Sequence, residues 1–151
     1  MRRRGGGCVS LSDGQPGQMN CLVLRLPAEA DQVPVARRAV AEFCELYGLA
    51  APLIDDVKLV VTEACTNVVL HAYAGREPGS IELDAFATED ELRLLVRDRG
   101  AGMTPAPMAE GLGLGLPLIA ALTSTLTIIE PDEGGTEVSM TFALRDTNPD
   151  S

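Results

Sequence analysis

Residues 52–75, PLIDDVKLVVTEACTNVVLHAYAG, decide the fold, because they read as one long helix with a single polar interruption. Pro52 suits a first helical turn, and Val57, Val60, Val61, Ala64, Val68 and Ala72 keep returning to one apolar face until Gly75 stops the run. The interruption is Glu63 and Asn67, four residues apart, which sets a carboxylate and a carboxamide about 40° apart around the axis and one turn apart along it. Taken alone, such a pair reads as a solvated helix edge. Upstream, Val33, Ala36, Val40, Phe43, Cys44 and Tyr47 form an earlier helical stripe closed by Gly48. Before that, the alternation from Cys21 to Leu26 predicts a strand ended by Pro27.

Downstream, Ile81 to Ala87 alternates in strand fashion, Thr88 to Asp90 turns the chain, and Leu92 to Val96 returns, which predicts a hairpin. Gly100 to Gly115 is a glycine-rich loop of the kind that moves or lets a ligand approach the backbone. Leu116 to Thr123 reads as a short helix, and strands follow at Leu126 to Glu130 and Thr136 to Leu144, joined by a Pro-Asp-Glu-Gly-Gly turn. The order β-α-α-β-β-loop-α-β-β predicts an α+β, two-layer α/β sandwich with its helices on one sheet face. Residues 1–19 combine Arg, Gly, Ser, Gln and Pro without hydrophobic patterning and are expected to be a disordered leader, with Met19 a candidate natural start. The domain is expected over residues 20–145 and a flexible tail over 146–151.

Composition narrows the function. The chain has 151 residues, with 12 basic against 22 acidic side chains and a net charge of −10, and three of the positives crowd at Arg2, Arg3 and Arg4. That balance disfavours a direct nucleic-acid binder, and an aromatic content of 3% without tryptophan leaves few base-stacking platforms. No apolar run approaches the roughly 20 residues that span a bilayer, so no membrane association and a cytoplasmic location are expected. Cys8, Cys21, Cys44 and Cys65 form no CxxC pair and read as reduced, small hydrophobes. The single histidine, His71, cannot complete a Cys2His2 zinc site, and it stands beside no Gly-x-Ser-x-Gly elbow of a hydrolase.

Three further segments could carry a ligand. Asp98-Arg99-Gly100-Ala101-Gly102 puts a carboxylate at a strand end, with glycines that let a flat base lie against the backbone while Asp98 accepts an amino hydrogen. An ordinary Asp-Gly turn explains the pentapeptide as well. Gly111-Leu112-Gly113-Leu114-Gly115-Leu116-Pro117 passes from loop to helix and offers unpaired N–H groups suited to phosphate. It is neither a dinucleotide fingerprint nor a Walker loop. Gly134-Gly135-Thr136 places a hydroxyl where a turn becomes a strand, although a hairpin turn accounts for it equally.

In conjunction these segments resemble a known family. Thr62-Glu63-Ala64-Cys65-Thr66-Asn67-Val68-Val69-Leu70-His71-Ala72-Tyr73 resembles the N box of the GHKL ATPases, with the His-Ala-Tyr ending of bacterial anti-sigma factor serine/threonine kinases. Asp98 to Gly102, Gly113 to Leu116 and Gly135-Thr136 resemble the three glycine boxes, and the resemblance spans roughly residues 22–144. It implies the Bergerat fold with a mixed sheet, ATP and Mg²⁺ as cofactors, Glu63 as general base and Asn67 as the magnesium ligand. It further implies Asp98 on the adenine amine with Gly100 and Gly102 beside it, phosphates on the backbone of Gly113, Leu114, Gly115 and Leu116, and Thr136 supporting the pocket. The implied activity is phosphorylation of a serine or threonine on a STAS-type anti-sigma factor antagonist, with sequestration of a sigma factor by a homodimer. Met103 to Leu112 is shorter than the lid of many such kinases and contains no Arg. A nucleotide-responsive anti-sigma binding module without phosphotransfer is therefore the alternative. Arg97 and Arg99 are expected in strand-edge salt bridges, and His71 in a structural role at the helix end.

Overall fold

The computed structural model describes residues 20–75, 77, 79–100 and 115–144. The expected leader and tail therefore lie outside the described residues, as does most of the glycine-rich loop. Strand β1 (Asn20–Pro27) leads through a short 3-10 turn (Ala30–Gln32) into α1 (Val33–Leu46) and α2 (Ala51–Asn67), and a π-helical turn (Val68–Ala72) extends α2. The hairpin β2 (Ser80–Ala87) and β3 (Glu91–Asp98) follows, then α3 (Gly115–Leu122), β4 (Thr125–Ile129) and β5 (Thr136–Ala143). Pro27 stays within its strand opposite Ser80, which a β-edge allows because an outward-facing proline forfeits no ladder bond.

These elements form where local chemistry favours them. Pro34 and Pro52 occupy the first turns of their helices, where a missing N–H forfeits no intrahelical bond. At the end of α1, Leu49 donates its N–H to the Cys44 carbonyl at 3.1 Å and Gly48 donates to Glu45 at 3.0 Å, a Schellman closure. The π turn departs from the uninterrupted α-helix expected through Ala72, and it begins immediately after Asn67.

The described strands make one sheet in the order β1-β2-β3-β5-β4. Every pair of neighbours is antiparallel, which corrects the expectation of a mixed sheet. The reason is topological. Two antiparallel helices return the chain to the end of the sheet it left, so β2 must run opposite to β1. The single helix α3 does set β4 parallel to β3, but β5 inserts between them and pairs antiparallel with both.

Alternation then sorts the two faces. Leu83, Val96 and Val138 lie in one cross-strand row and face the helices, where they join Val40, Phe43, Val57, Val60, Val61 and Ile119 in a buried aliphatic core. Truncating a fully buried member such as Leu94 to alanine should cost about 2 to 5 kcal/mol by leaving a cavity. Cys44 and Cys65 are free and buried in this layer, and burial pushes their thiols up to about 11 and about 12, which leaves them unreactive. Cys21, by contrast, is disulfide-bonded, which corrects the expectation that all four cysteines are reduced. Among the described residues no helix is long and apolar enough to cross a membrane.

Candidate functional site

The site grows from the last residue pair of the β3–β5 ladder, where Asp98 faces Thr136. Both are buried, at 8% and 4% exposure, although one carries a charge and the other a hydroxyl. Strand alternation explains it: Asp98 continues the inward series Leu92, Leu94, Val96, so its carboxylate points to the helix side. Asp98 Oδ1 accepts the Gly100 N–H at 2.9 Å, and the backbone of Thr136 also donates to the carboxylate. Burial nevertheless dominates and raises the Asp98 carboxyl above the ordinary aspartate value, against those two backbone donors. A carboxylate in this condition gains from a further hydrogen-bond donor.

Two glycines let the surrounding backbone close in. A Cβ at Gly100 would collide with the carbonyl oxygen of Ala72, at the end of the π turn. Gly135 has φ +87°, and a Cβ there would run into the Asp98 carbonyl. The end of the α2 segment, the end of β3 and the start of β5 thus meet at backbone distance. Asn67 and Glu63 sit half-buried on α2, one turn apart, on the helix whose π extension touches Gly100.

The structure therefore brings Asp98, Gly100 and Thr136 into one cluster and ties it to the helix that carries Glu63 and Asn67. Gly115 opens α3, which packs against α2, and Leu116 rests its side chain on the core, so that only its backbone is available to a ligand. Gly102, Gly113 and Leu114 lie outside the described residues. His71 Nε2 is buried and has no hydrogen-bond partner among the described residues.

Arg97 and Arg99 take the ion pairs expected of them, on the sheet face away from the helices. Arg25, Glu82, Arg97 and Glu137 form one cross-strand row of alternating charge. Glu82 is the hub: it accepts Arg99 Nε at 3.0 Å and lies 3.5 Å from Arg25 Nη2 and 3.6 Å from Arg97 Nε. Arg97 also reaches Asp84 at 2.8 Å. Burial would raise the Glu82 carboxyl, but Arg99, Arg25 and Arg97 outweigh it and hold it below the ordinary range. A depressed carboxylate stabilises the fold at neutral pH, and that contribution is lost as pH falls through its lowered value. Glu82→Gln should therefore cost about 1 to 3 kcal/mol at neutral pH, between the exposed and buried limits for such pairs. Thermal melts should show the gap from wild type closing as the buffer is made acid.

Glu82 escaped the reading of the sequence, because a lone glutamate in a strand carries no signal, and Tyr73 entered it only as the last residue of the His-Ala-Tyr ending, with no role of its own. Among the described residues no group of three His, Cys, Asp or Glu could hold a metal. A divalent ion here would take one amide oxygen from Asn67 and most of its ligands from phosphate and water, a sharing that suits Mg²⁺.

The chain and its fold have counterparts among known proteins. The family described as histidine kinase-like ATPase domain matches residues 26–142. The chain is 30% identical over 138 residues to the serine-protein kinase RsbW of Bacillus cereus, covering 82% of this chain and 85% of that protein. It is 28% identical over 130 residues to an anti-sigma F factor of Clostridium beijerinckii, covering 79% and 91% respectively. Among solved structures it resembles the crystal structure of the RsbU and RsbW domains of a Mycobacterium tuberculosis protein, with a TM-score of 0.66 and 26% identity. That match takes in 83% of this chain and 33% of the longer one.

Proposed function

Because the chain belongs to the histidine kinase-like ATPase domain family, we propose that it is an ATP-dependent protein serine/threonine kinase of the anti-sigma type. It phosphorylates a small STAS-type antagonist and sequesters a sigma factor. The observation that carries this reading is Asp98: a buried carboxylate at a strand end, steadied by backbone N–H groups and, because burial still raises its carboxyl, favoured by a further donor. An exocyclic adenine amine supplies that donor, whereas guanine presents a carbonyl that a carboxylate repels. Gly100 and Thr136 shape the same end of the pocket, and Gly102 belongs with them by the resemblance.

The remaining roles follow the helix and the loop. Asn67 would hold Mg²⁺, which neutralises phosphate charge when bound. The backbone from Gly113 to Leu116, at the entry to α3, cradles the phosphates as a helix start can. Glu63 takes the proton of the incoming serine or threonine hydroxyl as its oxygen bonds to the γ-phosphorus and the bond to the bridging oxygen of the leaving ADP breaks. Positioning and charge neutralisation then supply most of the rate. Residues 20–145 form the acting domain, it works in the cytoplasm, and the assembly is a homodimer.

Incubating the protein with labelled ATP and a candidate antagonist, then mapping the label, tests the activity directly. Label on a serine or threonine of the antagonist is the expected result. A second reading, a nucleotide-responsive anti-sigma module without phosphotransfer, is favoured by one observation. Arg97 and Arg99 are held by Glu82 on the outer face, and Met103 to Leu112 offers no arginine in their place. Under that reading no label transfers, while ATP still alters sigma-factor binding.

Asn67→Ala should weaken nucleotide binding in the presence of Mg²⁺ by at least about tenfold more than in EDTA, since its role is to hold the ion on the phosphates. Titrations under both conditions check this. Equal losses would make Asn67 a structural residue.

A further inference from the structure

Tyr73 stands where the π turn ends, six residues after Asn67 in the sequence, and its hydroxyl is engaged in both senses. It donates to the Ser80 carbonyl at 2.8 Å and accepts the Arg99 N–H at 2.9 Å. Its ring lies against Gly79. One oxygen therefore ties the helix segment bearing Asn67 to the start of β2 and the end of β3.

The Arg99 N–H belongs to the same peptide group as the Asp98 carbonyl. That carbonyl packs against Gly135 on its other side, closely enough to exclude a Cβ. The peptide following Asp98 is thus held at both edges, by the phenol at its N–H and by the turn into β5 at its C=O. The ladder could not do this by itself. Its last pair is Asp98 with Thr136, and at Gly135 the backbone turns away at φ +87°, leaving the Arg99 N–H with no strand partner. Glu82 restrains the same residue by its side chain through Arg99 Nε at 3.0 Å.

We propose that Tyr73 is a positioning residue for nucleotide recognition: its hydroxyl locks the Asp98–Arg99 peptide and so aims the Asp98 carboxylate at the exocyclic amine of an adenine nucleotide. The inference rests on the proposed function, and it goes further by making base selectivity depend on a residue that touches no nucleotide. It also accounts for the phenol at this position. A phenylalanine would fill the same space against Gly79, whereas only a hydroxyl can receive the Arg99 N–H and reach the Ser80 carbonyl together.

The test compares Mg²⁺-ATP with Mg²⁺-purine riboside triphosphate, which lacks the exocyclic amine, by calorimetry on wild type, Tyr73→Phe and Asp98→Asn. Wild type should prefer ATP by about tenfold to a hundredfold, the share of a charge-assisted bond, and Asp98→Asn should lose most of that preference. Tyr73→Phe should retain its fold, melting within about 4 °C of wild type. Its preference for ATP should fall by about threefold to tenfold, because a hydrogen bond weakens steeply once its acceptor drifts. Hydrogen exchange gives an independent readout: the Arg99 amide, protected in wild type, should exchange at least about tenfold faster in the variant.

A general loss of stability would weaken both nucleotides equally and leave their ratio alone. An unchanged ratio in Tyr73→Phe, alongside a collapsed ratio in Asp98→Asn, would overturn the positioning role and leave the proposed function intact. So would an unprotected Arg99 amide in wild type, or a Tyr73→Phe chain that does not fold. Wild type that shows no preference for ATP would overturn the adenine assignment itself, whatever Tyr73 does.

Discussion

Glu63→Gln should lower phosphotransfer by about 10² to 10⁴ while leaving ATP affinity and partner binding close to wild type. Glu63 is half-buried on α2, one turn before Asn67, and the proposed mechanism gives it one task, taking a proton. Glutamine keeps its size and its place on the helix but cannot accept that proton. Neither the adenine end of the pocket nor the metal position contains Glu63, so binding should persist and the rate alone should fall. Single-turnover transfer of labelled phosphate to the antagonist measures the rate, and calorimetry measures the binding. Transfer at the wild-type rate would remove Glu63 from the chemistry even if the kinase itself is confirmed. If wild type transfers nothing, the binding-module reading takes its place, and the substitution should then be silent in sigma-factor binding.

Asp98→Asn should weaken ATP binding by about tenfold to more than a hundredfold without unfolding the protein. A charge-assisted hydrogen bond contributes about 1.5 to 3 kcal/mol, and an amide offers only a neutral acceptor, or turns its own donor toward the adenine amine. Stability should move the other way. Burial raises the Asp98 carboxyl, so its ionisation works against the fold, and the relative stability present at low pH is lost as pH rises through that raised value. Asparagine carries no such charge and can still accept the Gly100 and Thr136 backbone donors. The ligand-free variant should therefore melt no lower than wild type at neutral pH, while the thermal stabilisation that ATP confers on wild type largely disappears. Unchanged ATP affinity would refute the adenine assignment. A large drop in melting temperature would show that the carboxylate holds the fold together instead.

Much of the architecture was legible along the chain because its causes are local. The apolar returns in α1 and α2, the alternation in β2 and β3, and the prolines and glycines at their ends act over a few residues, and each element except α2, which ends at Asn67, lies within a residue or two of its expected bounds. The inward pointing of Asp98 was equally readable, as the next step of the series Leu92, Leu94, Val96. The π turn after Asn67 was not, because its sequence, Val68 to Ala72, keeps a helical apolar spacing and differs only in how the backbone hydrogen bonds close.

The sequence by itself determined the identity and order of the elements, the aliphatic core, the face on which Glu63 and Asn67 stand and the strand end that carries Asp98. Those features depend on propensity, capping and periodicity, which neighbouring residues specify without reference to distant ones. Only the tertiary structure decided that β5 enters between β3 and β4 and so makes the sheet antiparallel. It alone set Gly100 against Ala72, gathered three arginines around Glu82 and joined Tyr73 to Arg99 across 26 residues of chain. Such contacts arise when burial of the shared core brings remote segments together. Their geometry follows from the packing of whole layers, which no local pattern encodes.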